Sequence, residues 1–221
     1  MTPTDIGSLL VPYLEGNELG AGLPETLLAQ FSLYLDLLLR WNARTNLTAV
    51  RIPEEIVTRH FGESLFAARQ IFAIENPISA LTSSLADVGS GAGFPGLPIK
   101  LWAPRLQVTL IEVQQKKATF LREVVRAMGL AGVEVRSGRA ELVTESFDVV
   151  TLRAVERFDQ VAVAAAGLVR PAGRLCLLIG EDQVAKAGEM LPLLKWARPV
   201  PIPNSKRRVV LVGFAPEESR L

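Results

Sequence analysis

Four glycines, Gly89, Gly91, Gly93 and Gly96, fall within eight residues, directly after the apolar run Leu85 to Val88. Only a residue without Cβ takes positive φ freely and lets the backbone lie against a ligand. An amphipathic segment, Leu97 to Trp102, follows at once. The loop therefore opens onto a helix start, whose first N–H groups lack intrahelical partners. A strand, a tight turn and a helix N-terminus make a cradle for a nucleotide-type cofactor. Gly91, Gly93 and Gly96 satisfy G-x-G-x-x-G, and Glu112 stands roughly 20 residues on at the end of the next apolar run, where a carboxylate accepts hydrogen bonds from both vicinal ribose hydroxyls. Two cofactor classes use that arrangement. One is a nicotinamide dinucleotide; the other is S-adenosylmethionine, on an acid-starting segment such as Asp87-Val88-Gly89-Ser90-Gly91-Ala92-Gly93. Glu112 serves both and does not choose between them.

The residues that follow discriminate. Hydride transfer needs a group to protonate an oxidisable substrate, and the only histidine, His60, lies upstream of the glycine loop, outside the strand-bearing part. Phe147-Asp148-Val149-Val150, with a polar exit at Arg153, has instead the character of the substrate-side strand of a methyltransferase. An NAD(P)-dependent oxidoreductase using the glycine loop and Glu112, and a non-catalytic cofactor-binding regulator, are the alternatives.

The elements that must position these residues divide the chain in two. Up to about residue 75 the pattern is helical: Leu27, Phe31, Leu35 and Leu38 recur at helical spacing behind Pro24 and run to Trp41, and Pro53-Glu54-Glu55 starts a new helix after the polar turn Asn42 to Thr48. Asn76-Pro77 ends this part. Residues 1–75 are expected to form a helical cap and residues 76–221 a cofactor-binding domain. In the second part Leu85–Val88, Gln107–Glu112, Val133–Ser137, Phe147–Leu152 and Gly173–Ile179 read as strands. Between them lie helical stretches, about Lys116 to Met128 and Asp159 to Val169, with another about Asp182 to Leu194. Apolar strands separated by helices predict a parallel sheet covered on both faces. Val200–Ile202 and Arg207–Phe214, joined by a turn, add a hairpin and hence an antiparallel strand. The predicted fold is α/β: a seven-stranded, Rossmann-like, mostly parallel methyltransferase sheet with its last strand antiparallel.

Composition narrows the partners. The chain has 221 residues, 49% of them hydrophobic, and 24 basic against 23 acidic residues give a net charge of +1. The distribution is more telling than the sum: no acid lies between Leu191 and Ala215, where Lys206, Arg207 and Arg208 cluster, and Arg40, Arg44 and Arg51 form a second basic zone. These are candidate contacts for the phosphates of a polyanion. The single cysteine, Cys176, excludes a disulfide framework and a cysteine-based zinc site and reads as core; no metal is expected. The most apolar stretches, Leu27 to Leu39 and Leu168 to Ile179, are interrupted by polar residues, so no membrane span is expected. No basic residue precedes Arg40, so no targeting segment is read and a cytoplasmic protein is expected.

Gly89-Ser90-Gly91-Ala92-Gly93-Phe94-Pro95-Gly96-Leu97-Pro98, with Trp41-Asn42, Asn46-Leu47-Thr48, Arg59-His60, Arg139-Ala140-Glu141 and Arg153-Ala154, resembles the RsmG (GidB) family over most of the chain. That resemblance implies a bacterial enzyme that moves a methyl group from S-adenosylmethionine to N7 of a guanine in 16S ribosomal RNA, as free RNA or in the small subunit. It implies that Gly89 and Phe94, with Ser90, Gly91 and Gly93, line the cofactor pocket. Ala140 and Glu141 flank the adenine, and Arg153 meets the cofactor's amino-acid end or the reaction zone. His60 is a candidate active-site or RNA contact, although a histidine joining cap to sheet accounts for it equally. Leu152 and Val113 depart from the smaller or more polar residues expected beside Arg153 and Glu112.

Overall fold

The computed structural model describes residues 1–14, 23–72, 83–154 and 157–217. Helices α1 (Pro3–Leu14), α2 (Glu25–Thr45), α3 (Pro53–Ile56) and α4 (Glu63–Phe72) come first, the last two joined by a π-helical turn, Val57–Gly62. There follow β1 (Ser84–Val88), α5 (Gly96–Trp102), β2 (Gln107–Glu112), α6 (Gln115–Ala127), β3 (Val133–Ser137), β4 (Phe147–Arg153), α7 (Phe158–Gly167) and β5 (Val169–Gly180). The chain closes with α8 (Val184–Met190), β6 (Lys195–Trp196), β7 (Val200–Pro201) and β8 (Arg208–Phe214).

The sheet runs β3-β2-β1-β4-β5-β8-β6, with β7 also on β8. β1 to β5 are mutually parallel, and β8 lies antiparallel to β5. Because β1, β2 and β4 are covered on both faces, they carry almost unbroken apolar sequence. The expected seven strands become eight by division of one edge strand. β6 and β7 both pair with β8, and Arg198-Pro199 separates them, since proline has no N–H for a ladder.

From β1 the chain winds outward to β3, then returns to place β4 on the other side of β1. This is the topological switch point, where ligands bind beyond the carboxyl ends of the strands. Val88 pairs with Leu152, so Gly89 and Arg153, each the next residue, leave adjacent strands side by side.

One sheet face is covered by α7 and α8 over Ala86, Val150 and Leu177. The other is covered by the N-terminal helices: Phe31, Tyr34, Phe61 and Leu65 share a single core with Leu85, Leu97, Phe120 and Val210. Phe61 and Leu65 are at most 1% exposed, and burying each contributes about 1.5–3 kcal/mol. The boundary expected near residue 75, and Asn76-Pro77, lie outside the described residues.

Three element ends differ from expectation for local reasons. α2 continues past Trp41 to Thr45 and stops at Asn46, whose left-handed backbone (φ 37°) breaks the helix. α8 ends at Met190 rather than Leu194 because Leu191 precedes Pro192 and is pushed out of the helical region. β5 begins at Val169, earlier than Gly173, with a register shift opposite Phe147 to Val149. Cys176 is fully buried, and burial pushes its thiol up.

Candidate active site

The glycine loop is stitched to the neighbouring strand before any ligand is considered. Gly89 and Ser90 N–H both donate to the Ile111 carbonyl (2.9 and 3.1 Å), and Ser90 Oγ donates to the Asp87 carbonyl (2.7 Å). Gly91 N–H and Gln114 N–H each donate to the Glu112 carboxylate at 2.8 Å. Glu112 is 4% exposed and so is fixed in place by two backbone donors, with acceptor capacity remaining on both oxygens. At Gly91 (φ 59°) a Cβ would meet only the Gly89 carbonyl oxygen, at an ordinary 3.8 Å. At Gly93 (φ 95°) a Cβ would stand 2.5 Å from Leu97 Cδ1 and against the Tyr34 hydroxyl. The cis Phe94–Pro95 bond leads into α5.

The start of α5 does not offer all its donors to a ligand. Gly96 N–H donates to Asp87 Oδ2 (3.1 Å), and Thr151 Oγ1 donates to Asp87 Oδ1 (2.8 Å). Asp87 is fully buried, and burial raises its carboxyl to about 7 despite these hydrogen bonds. It holds the loop and helix together from beneath.

Beyond the ends of β1 and β2 lies a cleft of about 370 Å³. Gly89, Ala140 and Glu141 line it, with Val113 and Val161 giving apolar walls and Gln114, Lys117, Arg139, Arg157 and Gln160 a polar and charged edge. Val113, a departure at sequence level, is 59% exposed into this cleft, where an apolar side chain suits a planar base. Ser90, Gly91, Gly93, Phe94, Glu112 and Arg153, the other residues expected to hold the cofactor, do not line the cleft, although Glu112 and Arg153 stand next in the chain to the lining residues Val113 and Ala154. The arrangement fits a nucleoside-bearing cofactor: a slot with apolar walls and a charged rim, a fixed carboxylate at the end of the adjoining strand, and glycine backbone free of Cβ atoms. Among the described residues no group of three or more His, Cys, Asp or Glu is placed to hold a metal.

Phe94 faces the N-terminal helices instead. It stacks on His60 (4.6 Å between centroids, 17°) and on Tyr34 (5.6 Å), and the Tyr34 hydroxyl donates to the Ala92 carbonyl. Each such ring pair contributes about 0.5–1.5 kcal/mol beyond burial. The loop Asn46 to Val50 ties in through His60 Nε2 and Thr48 Oγ1, 2.9 Å apart. Thr48 Oγ1 also accepts from Val50 N–H (3.1 Å), which fixes the loop against the ring. Burial, then the Arg153, Arg59 and Arg208 charges, hold the His60 pKa well below its ordinary value. The imidazole is therefore neutral.

Arg153 leaves β4 toward the same helices. Its Nη2 donates to Glu63 Oε2 (2.9 Å) and to the Arg59 carbonyl (2.5 Å), while Arg208 Nη2 donates to Glu63 Oε1 (2.5 Å). Arg208, expected as a free phosphate contact, is thus committed to a buried carboxylate; its place in β8 turns it inward while Lys206 and Arg207 remain exposed. Arg40, Arg44 and Arg51 are exposed as well, Arg51 donating to Asn46 Oδ1 (2.9 Å). Arg40 and Arg44 flank Trp41 on one groove.

Sequence reading missed Glu63, Asp87 as a buried acid, and Tyr34. Each had a signal. Asp87 interrupts an otherwise apolar strand, Glu63 lies among Phe61, Leu65 and Phe66, and Tyr34 sits three residues after Phe31 on the apolar stripe of α2.

The family model described as GidB, rRNA small subunit methyltransferase G, matches residues 27–191. Ribosomal RNA small subunit methyltransferase G of Xanthomonas campestris pv. campestris (strain 8004) is 37% identical, covering 95% of this chain and 96% of its own. The Chloroflexus aggregans protein of the same name is 39% identical over 91% of this chain and 88% of its own. Among solved structures, magnesium protoporphyrin IX methyltransferase from Synechocystis PCC 6803 with bound SAM superposes with a TM-score of 0.64, covering 84% of this chain and 97% of that one at 12% identity. TrmN from Thermus thermophilus gives 0.57 over 72% of this chain and 53% of that one, at 16% identity. These structures show the fold. With its family model spanning most of the residues and relatives aligned nearly end to end, the chain belongs to the GidB family of small-subunit ribosomal RNA methyltransferases.

Proposed function

We propose that this protein methylates N7 of a guanine in 16S ribosomal RNA, using S-adenosylmethionine, in the bacterial cytoplasm. The observation that carries the reading is the Glu112 carboxylate, fixed by Gly91 and Gln114 N–H at the end of β2, between Ile111 and Val113 of the cleft wall, in a chain aligned over 95% of its length with a ribosomal RNA methyltransferase. Family membership also removes the nicotinamide reading that the glycine spacing alone allowed. Among the described residues no helix is long and apolar enough to cross a membrane.

Glu112 binds the ribose hydroxyls. The backbone of Gly89, Gly91 and Gly93 lets the cofactor lie close. Ala140 and Glu141, with Val113, hold the adenine, and Arg153, next in the chain to the cleft residue Ala154, serves the amino-acid end. Ser90 and Phe94 act from behind, by fixing the loop. When bound, S-adenosylmethionine supplies a methyl group on a positively charged sulfur. Guanine N7 has a lone pair and no proton, so no side chain has to act as general base. A neutral His60 stacked behind Phe94 is consistent with that chemistry, and its role is to set the loop. Rate enhancement then comes from holding N7 in line with the methyl group, where proximity alone can lower a barrier by about 7–11 kcal/mol. The exposed Arg40, Arg44, Arg51, Lys206 and Arg207 meet RNA phosphates, and the base is presented unstacked.

Titration calorimetry with S-adenosylhomocysteine and with NADH tests the site. Heat of binding with the first and none with the second is expected. The opposite pattern overturns the assignment.

A further inference from the structure

Glu63 is a carboxylate with 1% side-chain exposure, contributed by the N-terminal helices but satisfied from the sheet. One oxygen takes Arg153 Nη2 from β4 at 2.9 Å; the other takes Arg208 Nη2 from β8 at 2.5 Å. The two strands are not neighbours, since β5 lies between them. A single buried acid therefore reaches across three strands. It starts α4 directly after the π-helical turn, and that turn also delivers the Arg59 carbonyl to the same Arg153 nitrogen. Both acceptors of Arg153 Nη2 thus come from one stretch, residues 59–63. Arg153 Nη1 is buried without a partner, so the guanidinium is oriented by one edge only and keeps unused donor capacity. The pairing of Val88 with Leu152 puts the Arg153 backbone next to Gly89, and the following residue, Ala154, lines the cofactor cleft, while the Arg153 side chain runs to Glu63 and the Arg59 carbonyl.

We propose that Glu63 is a positioning residue for methyl transfer: together with the Arg59 carbonyl it anchors Arg153 where β4 ends, one residue before Ala154 of the cofactor cleft, and it acts on cofactor binding through Arg153 without touching cofactor or RNA. The proposal rests on the placement of Arg153 at the cofactor's amino-acid end. The geometry requires a charged acceptor with two oxygens. Glutamine has the same size but one acceptor, so it releases Arg153 or Arg208. Aspartate keeps the charge and both oxygens and gives up one methylene of reach.

The test is steady-state methyl transfer with the full-length protein, with thermal melting to establish that each variant is folded and S-adenosylhomocysteine calorimetry alongside. Glu63→Gln is expected to raise KM for S-adenosylmethionine and weaken S-adenosylhomocysteine binding by about tenfold, the scale of one charged hydrogen bond, with kcat changed less than about threefold. Glu63→Asp is expected to stay within about threefold of the parent. In an Arg153→Met background, Glu63→Gln is expected to add less than about twofold, because its route is already cut. Equal losses for Gln and Asp, full additivity with Arg153→Met, or a fall in kcat at unchanged KM would overturn the proposal. If Glu63→Gln does not fold, the Asp variant and its Arg153→Met combination decide on the same criteria. Failure of the parent protein to bind S-adenosylhomocysteine overturns the cofactor site itself, and the role of Glu63 with it.

Discussion

Replacing Asp87 by asparagine removes a charge from beneath the glycine loop while keeping the shape. In the native protein Asp87 accepts from Gly96 N–H and Thr151 Oγ1, and burial raises its carboxyl from 3.8 to about 7. A carboxyl whose pKa is higher in the folded state than in the unfolded chain stabilises the fold while protonated. That contribution is complete below about pH 4 and is lost as pH rises through about 7. The full shift, about three units, corresponds to roughly 4 kcal/mol, of which about 2.5 kcal/mol is lost between pH 5 and pH 8. In Asp87→Asn the amide oxygen can still accept from Gly96 and the amide nitrogen can donate to Thr151 Oγ1, so both partners stay satisfied and nothing titrates. Urea unfolding at pH 5 and pH 8, read as the difference between native and variant, cancels every other titrating group. The native protein is expected to lose about 2.5 kcal/mol relative to Asp87→Asn over that range, leaving the variant the more stable of the two at pH 8. A difference that is flat to within about 0.5 kcal/mol, or that slopes the other way, would refute a neutral, proton-bearing Asp87 below pH 7.

Other substitutions separate the loop's parts. Gly93→Ala combines positive φ with a Cβ 2.5 Å from Leu97 Cδ1, so a loss of about 3 kcal/mol is expected in urea unfolding, whereas Gly91→Ala meets only the Gly89 carbonyl oxygen at 3.8 Å and, from its positive φ alone, should lose about 1 kcal/mol. Tyr34→Phe leaves the Ala92 carbonyl without its buried donor and is expected to lose about 1–2 kcal/mol by the same assay. Lys206→Ala with Arg207→Ala, both exposed, should lower the slope of log binding constant against log salt for ribosomal RNA by about 1–2 while leaving S-adenosylhomocysteine affinity unchanged. Filter binding across a salt series measures it; an unchanged slope would remove these two side chains from the interface.

The parts of the molecule legible in the sequence were those set by local pattern. The helical stripe of α2, the apolar strands β1 to β4 and the Gly89 to Gly96 turn follow from periodicity and from what only glycine can do. Gly89, Ala140 and Glu141 could be grouped because strand ends and the turns after them fall at the same edge of a parallel sheet. Contacts between residues distant in sequence were not legible. Arg153 and Glu63 are 90 residues apart, and Arg208 and Glu63 are 145 apart. A basic run such as Lys206-Arg207-Arg208 looks uniform until a strand begins inside it and turns one of the three inward. Phe94 shows a subtler difficulty: its neighbours in the chain belong to the cofactor loop, yet its ring packs on His60 and Tyr34, so a motif residue supports the cradle from outside the cleft.

The central claim is methyl transfer to N7 of a guanine in small-subunit ribosomal RNA. Incubating the protein with tritiated S-adenosylmethionine and unmodified small-subunit RNA or subunits, then locating 7-methylguanosine by borohydride reduction and aniline cleavage, tests it most directly. Label in the RNA, cleavage at a defined guanine, and loss of both with Glu112→Ala are expected. Label on another base or another atom, or no transfer to RNA by protein that binds S-adenosylhomocysteine, would contradict it.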